Sequence, residues 1–140
     1  MSFTTFSAID IGRTGAGFAN HWIDSIAHNM ANVNTATAPG QEPFRALKPI
    51  AVPLGGGPYA PSGSGVHLGA QMRAGGDAPM VYDPSHVMAD EDGMVTMPVV
   101  DMGGEMVDLM IANRSYQANI RTVQSAREAY QSALRLGTGQ

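Results

Sequence analysis

The sequence predicts an α+β protein in which two long helices, one toward each end, pair as a coiled coil around a small Gly/Pro-rich β insert. Three observations predict this. Apolar residues recur every seven positions toward both ends. Eight of the nine prolines fall between residues 40 and 98. Short alternating runs in that stretch read as strands. The expected division is 1–36 for the N-terminal helix, 37–98 for the insert and 99–140 for the C-terminal helix.

In the first helix Ile9, Ala16, Ile23 and Met30 form one series, and Gly12, Ala19, Ile26 and Val33 form a second three positions on. Small residues dominate its first half, which allows a neighbouring helix to approach closely. Phe18 and Trp22 lie on one flank of the seam, which suits a helix with more than one neighbour. A broad core-facing stripe within a monomer is the alternative use of the same pattern. The helix runs out in IAHNMANVNTATAPG, where Asn29, Asn32 and Asn34 take three of the chain's six asparagines. The last carbonyls of a helix lack intrahelical partners. An asparagine side chain carries both a donor and an acceptor to meet them. Asn32 and Asn34 are therefore expected to bond backbone at the turn, within the subunit or across to a neighbour, with solvent-exposed loop amides as the alternative.

Within the insert, FRALKPIAV (44–52) is an edge strand, because Pro49 cannot donate to a ladder. VHLGAQM (66–72) alternates Val66, Leu68, Ala70 and Met72 inward against His67, Gly69 and Gln71 outward. MVYD (80–83) and MVTM (94–97) are two more strands, the latter launched by Asp92-Gly93. The composition of residues 55–65 makes that segment a flexible loop.

In the second helix Met102, Leu109, Tyr116, Val123 and Tyr130 form one heptad series. The apolar spacing assigns Met106, Ile120 and Leu134 to the other, interrupted by Asn113 and Arg127. Arg114, Arg121, Glu128 and Arg135 repeat on roughly the opposite side as a solvated or lumen-facing stripe. Gly103 and Gly104 each cost about 1 kcal/mol relative to Ala in a helix. The helix is therefore expected to start at Glu105.

Composition narrows the function. Charged residues make up 14% of the chain, and much of the 44% hydrophobic content is Ala and Met. Low charge with soft side chains suits surfaces that end up against other protein. Net charge is −4 and Lys48 is the single lysine, so nucleic acid or an anionic membrane has little to attract it. No apolar stretch is long enough to span a bilayer, so direct membrane insertion is not expected. The N-terminal residues lack the basic and apolar regions of a cleaved signal peptide. With no cysteine, disulfides and thiolate metal sites are excluded.

No catalytic constellation emerges, so neither an enzyme nor a cofactor is expected. His21 and His28 lie seven apart on one helix, about 10 Å along its axis, too far to share a metal. Reading ADEDG (89–93) as a calcium loop would place Met88 and Val99 at ligand positions. No G-x-S-x-G or phosphate-loop frame fits. A weak remaining grouping is His67, Asp83 and His86. Eight of the twelve acids lie between Asp77 and Asp108, with no Lys or Arg from 74 to 113. That acidic middle beside a basic last helix serves either to dock one subunit onto another or simply to hold water.

Both ends carry a resemblance. IAHNMANVNT (26–35) resembles the motif that closes the N-terminal helix of the bacterial flagellar axial proteins, the rod and hook group. MPVVDMGGEMVDLMIANRSYQANIRTVQSAREAYQSALRLG (97–137) resembles the C-terminal helix of the same group. Met97-Pro98, Glu105-Met106-Val107 and above all Arg114-Ser115-Tyr116-Gln117-Ala118-Asn119 are similar to its proximal-rod members. PGQEPFRA (39–46), the YDPSH…ADEDGMV region (82–95) and the short insert fit those members too.

The resemblance implies a structural protein, exported unfolded by the flagellar type III apparatus without a cleaved signal. It would polymerise in the periplasm into a tubular, torque-transmitting rod whose terminal helices face the channel. Expected partners are copies of itself, other flagellar rod proteins, and export-gate or junction proteins of the basal body. Expected assembly residues are Asn29, Asn32, Asn34 and Thr35 at the helix exit. On the seams they are Ile9, Ala16, Ile23, Ile26, Met30, Met106, Leu109, Tyr116, Ile120, Val123 and Tyr130. Helices with few large apolar residues gain stability mainly from tertiary packing. Both ends are therefore expected to fluctuate in the free subunit and to order on assembly. The competing reading is a helical-hairpin oligomer or adaptor unrelated to flagella, with the insert as its binding head.

Overall fold

A computed structural model of the chain describes residues 3–55 and 63–138. It has two long helices and two small two-stranded sheets, an α+β arrangement. Helix α1 spans Phe3–Ala31, and strands β1 (Leu47–Pro53), β2 (Val66–Arg73), β3 (Met80–Tyr82) and β4 (Met94–Thr96) follow. Helix α2 spans Met102–Thr138. Most of the 55–65 segment, residues 56–62, lies outside the described residues. Among the described residues no helix is long and apolar enough to cross a membrane. The chain divides into two compact units, each built from part of both helices and part of the middle.

The first unit comprises residues 1–21, 50–69 and 110–140. Here α1 meets α2 at close range. A Cβ placed on Gly12 would stand 2.7 Å from Val123 Cγ2 and 3.2 Å from the Asn119 carbonyl oxygen. One on Gly15 would fall on the Asn119 side-chain amide. Ala16 and Ala19 are buried on the same face. Small residues thus make room for the second helix, as the seam predicts.

The sheet segment of this unit is tied to α1 through Thr14. Its hydroxyl donates to the Ile11 carbonyl at 2.8 Å and accepts from the Val66 N–H at 3.1 Å. Gly65, beside Thr14, has φ +103°, a backbone that side chains rarely adopt. Leu54 N–H donates to the Gly65 carbonyl at 2.8 Å, and Gly69 lies against Val52, so β1 and β2 run antiparallel here.

The second unit comprises residues 22–49 and 70–109. β3 and β4 pair antiparallel, Met80 with Thr96, Val81 with Val95 and Tyr82 with Met94. On the other side of β4, Thr37 and Thr96 exchange two backbone bonds of 2.9 Å. The Val99 N–H donates to the Phe44 carbonyl at 2.8 Å and its carbonyl accepts the Ala46 N–H at 3.1 Å, a parallel bridge. The chain leaving α1 is thereby stitched to the strand that leads into α2. Among the described residues, the buried apolar side chains of this unit are Ile26, Ala46 and Val95, and Ala112 completes those of the first unit. Only Ile26 and Val95 in the whole set are large.

Two expectations are corrected. α2 starts at Met102 rather than Glu105, because Asp101 caps it. Its Oδ1 accepts the Gly103 N–H at 3.1 Å and its carbonyl accepts the Glu105 N–H at 2.9 Å. A Cβ at Gly104 would sit 2.7 Å from Asp101 Oδ2, so Gly104 leaves room for the cap rather than delaying the helix. In β2, Val66 and Leu68 are half-buried as expected, but Ala70 and Met72 are exposed. A two-stranded ribbon carries no layer over that end.

Candidate assembly site at the helix exit

The last turn of α1 ends in a polar node built on Asn29, whose side chain is fully buried. Its Oδ1 accepts the Leu47 N–H at 2.8 Å, and its Nδ2 donates to the Leu47 carbonyl at 3.0 Å. The amide thus stands in for a neighbouring strand at the start of β1. Its other N–H donates to Glu105 Oε1 at 3.1 Å across 76 positions of sequence. Glu105 is itself buried, in the first turn of α2, where the helix dipole favours an acidic side chain. One side chain therefore bonds α1, β1 and α2 of this unit together, and both amide N–H groups and the oxygen are used.

Asn32 does different work. Its Nδ2 donates to the His28 carbonyl at 2.8 Å, satisfying one of the carbonyls the helix leaves open. Thr35 Oγ1 donates to Asn32 Oδ1 at 3.3 Å and closes the turn. Asn34 is exposed and contributes its carbonyl, which accepts the Ala36 N–H at 3.0 Å.

Around the node lies an open cleft of about 390 Å³ lined by His28, Glu42, Pro43, Phe44, Arg45, Leu47 and Arg73. His28 and Phe44 meet edge to face with ring centres 5.4 Å apart. Arg45 donates to the Ala74 and Gly76 carbonyls, and Arg73 pairs with Glu42 at 3.2 Å. Lys48 and Asp108 form a second surface pair at 3.2 Å. These groups offer hydrogen bonds and an aromatic face rather than a nucleophile with a base. Among the described residues no three His, Asp or Glu side chains gather as a metal site. Asp83 stands apart, held below the ordinary carboxylate range chiefly by the Ser85 hydroxyl at 2.7 Å.

On α1, Ala16 and Ile26 are buried and Ile9, Ile23 and Met30 half-buried. On α2, Leu109, Tyr116, Ile120, Val123 and Tyr130 are half-buried. Met106 and Leu134 are half-exposed, at 51% and 50%. The second inward series of α2 is instead Glu105, Ala112, Asn119 and Ala126, one position earlier than apolar spacing indicates. The Arg114–Asn119 motif splits between the two sides. Ser115, Tyr116 and Asn119 turn inward, with Asn119 Nδ2 donating to the Ser115 carbonyl at 2.9 Å. Arg114, Gln117 and Ala118 are exposed. The Asn29–Glu105 bond escapes sequence reasoning, because each residue lies one position before an apolar series, Asn29 before Met30 and Glu105 before Met106.

The chain as a whole is similar to known proteins. A family model described as the C-terminal region of the flagellar basal body rod FlgEFG proteins matches residues 91–136. The flagellar basal-body rod protein FlgC of Salmonella typhimurium is 34% identical over 128 residues, 91% of this chain and 94% of its own. This chain belongs to the FlgC family. The FlgC of Borreliella burgdorferi is 32% identical over 96% of this chain and 98% of its own. That of Aquifex aeolicus is 29% identical over 90% and 92%. As a FlgC-family protein, the chain is a structural subunit of the rod in the bacterial flagellar basal body.

Proposed function

We propose that this FlgC-family subunit polymerises through its terminal helices, 1–36 and 99–140, which pair as a coiled coil and line the proximal rod and its export channel. The insert, 37–98, braces the helix exits. The subunit passes through the type III apparatus without a cleaved signal and assembles in the periplasm. Its partners there are copies of itself, other rod proteins and the export-gate or junction proteins of the basal body. Nucleic acid, cofactors, catalysis and membrane insertion have no part in this reading.

The observation that carries it is the makeup of the helix faces. The inward faces meet through Gly12, Gly15 and Ala16 in one unit and through the Asn29–Glu105 bond in the other. Fully burying a large aliphatic side chain stabilises by roughly 1.5–3 kcal/mol, and among the described residues Ile26 and Val95 alone of that class are buried. Such a core holds two long helices weakly in a free subunit. Meanwhile Met106 and Val107 are left half-exposed on α2, available to a neighbouring subunit. Seam residues Leu109, Tyr116, Ile120, Val123 and Tyr130 and exit residues Asn29, Asn32, Asn34 and Thr35 are the assigned assembly positions.

Replacing the native copy with Asn32→Ala or Tyr116→Ala tests the assignment in isolated basal bodies. Short or missing rods, with soluble protein at its usual level, are the expected result. Normal rods and motility in both variants would reject it. Hydrogen exchange on the free subunit and the assembled rod provides a second check. Both helices should exchange quickly when free and slowly when assembled, and full protection in the free subunit would overturn the coupled-ordering part.

A further inference from the structure

The loop that joins β3 to β4 is held by its own bonds and carries an apolar tip into solvent. The Asp83 N–H donates to the Gly93 carbonyl at 2.9 Å, and the Asp83 carbonyl accepts the His86 N–H at 3.1 Å. The His86 ring accepts the Met88 N–H at 3.1 Å, and Asp90 Oδ1 accepts those of Asp92 and Met94. Gly93, at φ +72°, turns the chain back into β4. In the middle of this bonded loop Val87 is 94% and Met88 47% exposed. A loop fixed beforehand loses little freedom when it docks. Glu91 and Asp92 of the same loop are exposed, and no Lys or Arg occurs from residue 74 to 113. The loop is thus an apolar knob with negative charge.

The same unit carries a hollow of the opposite character. The cleft of about 390 Å³ is lined by Pro43, Phe44 and Leu47 and by Arg45, Arg73 and His28, with Glu42 as its one acid. The loop contributes no residue to this lining. Arg45 is fixed by Nη1 on the Ala74 and Gly76 carbonyls, and its other guanidinium N–H groups are still donors. Arg73 and Glu42 pair with side chains 67% and 70% exposed, and a surface pair of this kind is weak and readily exchanged. We infer that the Val87–Met88 tip of one copy seats in the cleft of a second copy of this chain. Val87 and Met88 cover Phe44 and Leu47, and Glu91 and Asp92 meet Arg73 and Arg45. Complementary charge sets which partner is accepted and in what register. Knob and hollow are different patches of one unit, so the contact runs head to tail and continues from copy to copy as a ring or a filament. Val87, Met88, Glu91 and Asp92 lie outside both helices and outside the Asn29 bonds, so this contact does not compete with the helix pairing. The inference rests on the rod-subunit reading for its setting only.

The chain has no cysteine, so introduced thiols report the contact directly. Val87→Cys and Glu42→Cys are made in separate preparations of the full chain, mixed and oxidised. Docking raises the effective concentration of the two thiols, so the mixed disulfide should form about tenfold faster than that of Val87→Cys with Gly17→Cys, an exposed position of the other unit. A rate equal to this control, or a Val87→Cys homodimer forming as fast, overturns the proposal. With Val87→Cys and Glu42→Cys in one chain, oxidation of purified protein and of isolated basal bodies should give a ladder of dimers, trimers and longer species. Dimers alone, or a monomer closed by an internal disulfide, overturn it. Glu91→Arg with Asp92→Arg in the Val87→Cys copy should lower the mixed yield about tenfold, the effect of about 1.4 kcal/mol. Arg73→Glu in the Glu42→Cys copy should restore part of it, and failure to restore any counts against the charge pairing. The chain present in basal bodies without a ladder there sinks the contact and leaves the rod reading intact. A ladder in purified protein, with the chain absent from basal bodies, does the reverse.

Discussion

Around Asn29 the helices of one unit are joined by a buried amide with three bonds, while around Gly12 and Gly15 those of the other are joined by the absence of side chains. The first contact is directional. Asn29 bonds both backbone groups of Leu47 and the Glu105 carboxyl, so it fixes register and tolerates no shift. The second is steric, since Val123 and Asn119 lie where a Cβ would go, and it fixes distance more than register. A subunit that must find one arrangement among weakly held helices gains uniqueness from the polar node and closeness from the glycines. Buried polar groups are costly unless fully paired, which makes the node the more fragile of the two.

The largest expected effect therefore comes from Asn29→Leu. It fills the same region but leaves the Leu47 N–H and carbonyl and the Glu105 carboxyl without this partner. A loss of about 3 kcal/mol follows from buried groups that cost roughly 1–3 kcal/mol each when unpaired. Urea denaturation checks it, and a loss under half that would mean the node is more solvated than its burial indicates. Next comes Gly12→Ala. Helix propensity alone would favour it by about 1 kcal/mol. The clash with Val123 Cγ2 and the Asn119 carbonyl should reverse the sign, to a net loss of about 1–2 kcal/mol. Gly17→Ala is the matched control, because nothing lies within 4 Å of a Cβ there. It should stabilise by about 0.5–1 kcal/mol. Equal responses at 12 and 17 would show that the close approach does not govern the first unit.

The same contrast separates what the sequence made legible from what it hid. On the first helix the inward positions Ile9, Ala16, Ile23, Ile26 and Met30 are apolar or small and follow the period, while the buried Asn29 does not. The strands read well because alternating runs and Asp92-Gly93 mark them locally. On α2 the apolar reading chose Met106 and Leu134, yet the inward face carries Glu105 and Asn119. Periodicity measured by hydrophobicity cannot see a polar residue whose partner lies 76 positions away. The start of α2 misled for a related reason. Glycine propensity is a local cost, and the Asp101 cap that offsets it appears only once the turn is built. Asn32 was recoverable because its partner, the His28 carbonyl, is one helical turn back.

Smaller effects sharpen the comparison from outside the buried contacts. Lys48 pairs with Asp108 beside the node, but its side chain is 56% exposed. Exposed pairs contribute roughly 0.2–1 kcal/mol, so Lys48→Ala should cost at the low end of that range and less in high salt. A cost comparable to Asn29→Leu would show that the node depends on its surface pair.

The smallest effect lies at Asp83, in the loop between β3 and β4. The Ser85 hydroxyl and N–H both donate to its Oδ1, at 2.7 and 3.2 Å, and favour the ionised form. A folded-state pKa below the ordinary value means the group adds stability above its unfolded pKa, near 3.9. That contribution is lost as pH falls through the folded value. Ser85→Ala removes the leading cause, so the Asp83 midpoint should rise toward the ordinary carboxylate range. Acid sensitivity of this loop should lessen correspondingly, because there is less left to lose. A carboxyl-carbon NMR titration of Asp83 reads this directly. An unchanged midpoint would assign the shift to the neighbouring His86 charge and the backbone donors instead, leaving the loop's order independent of Ser85.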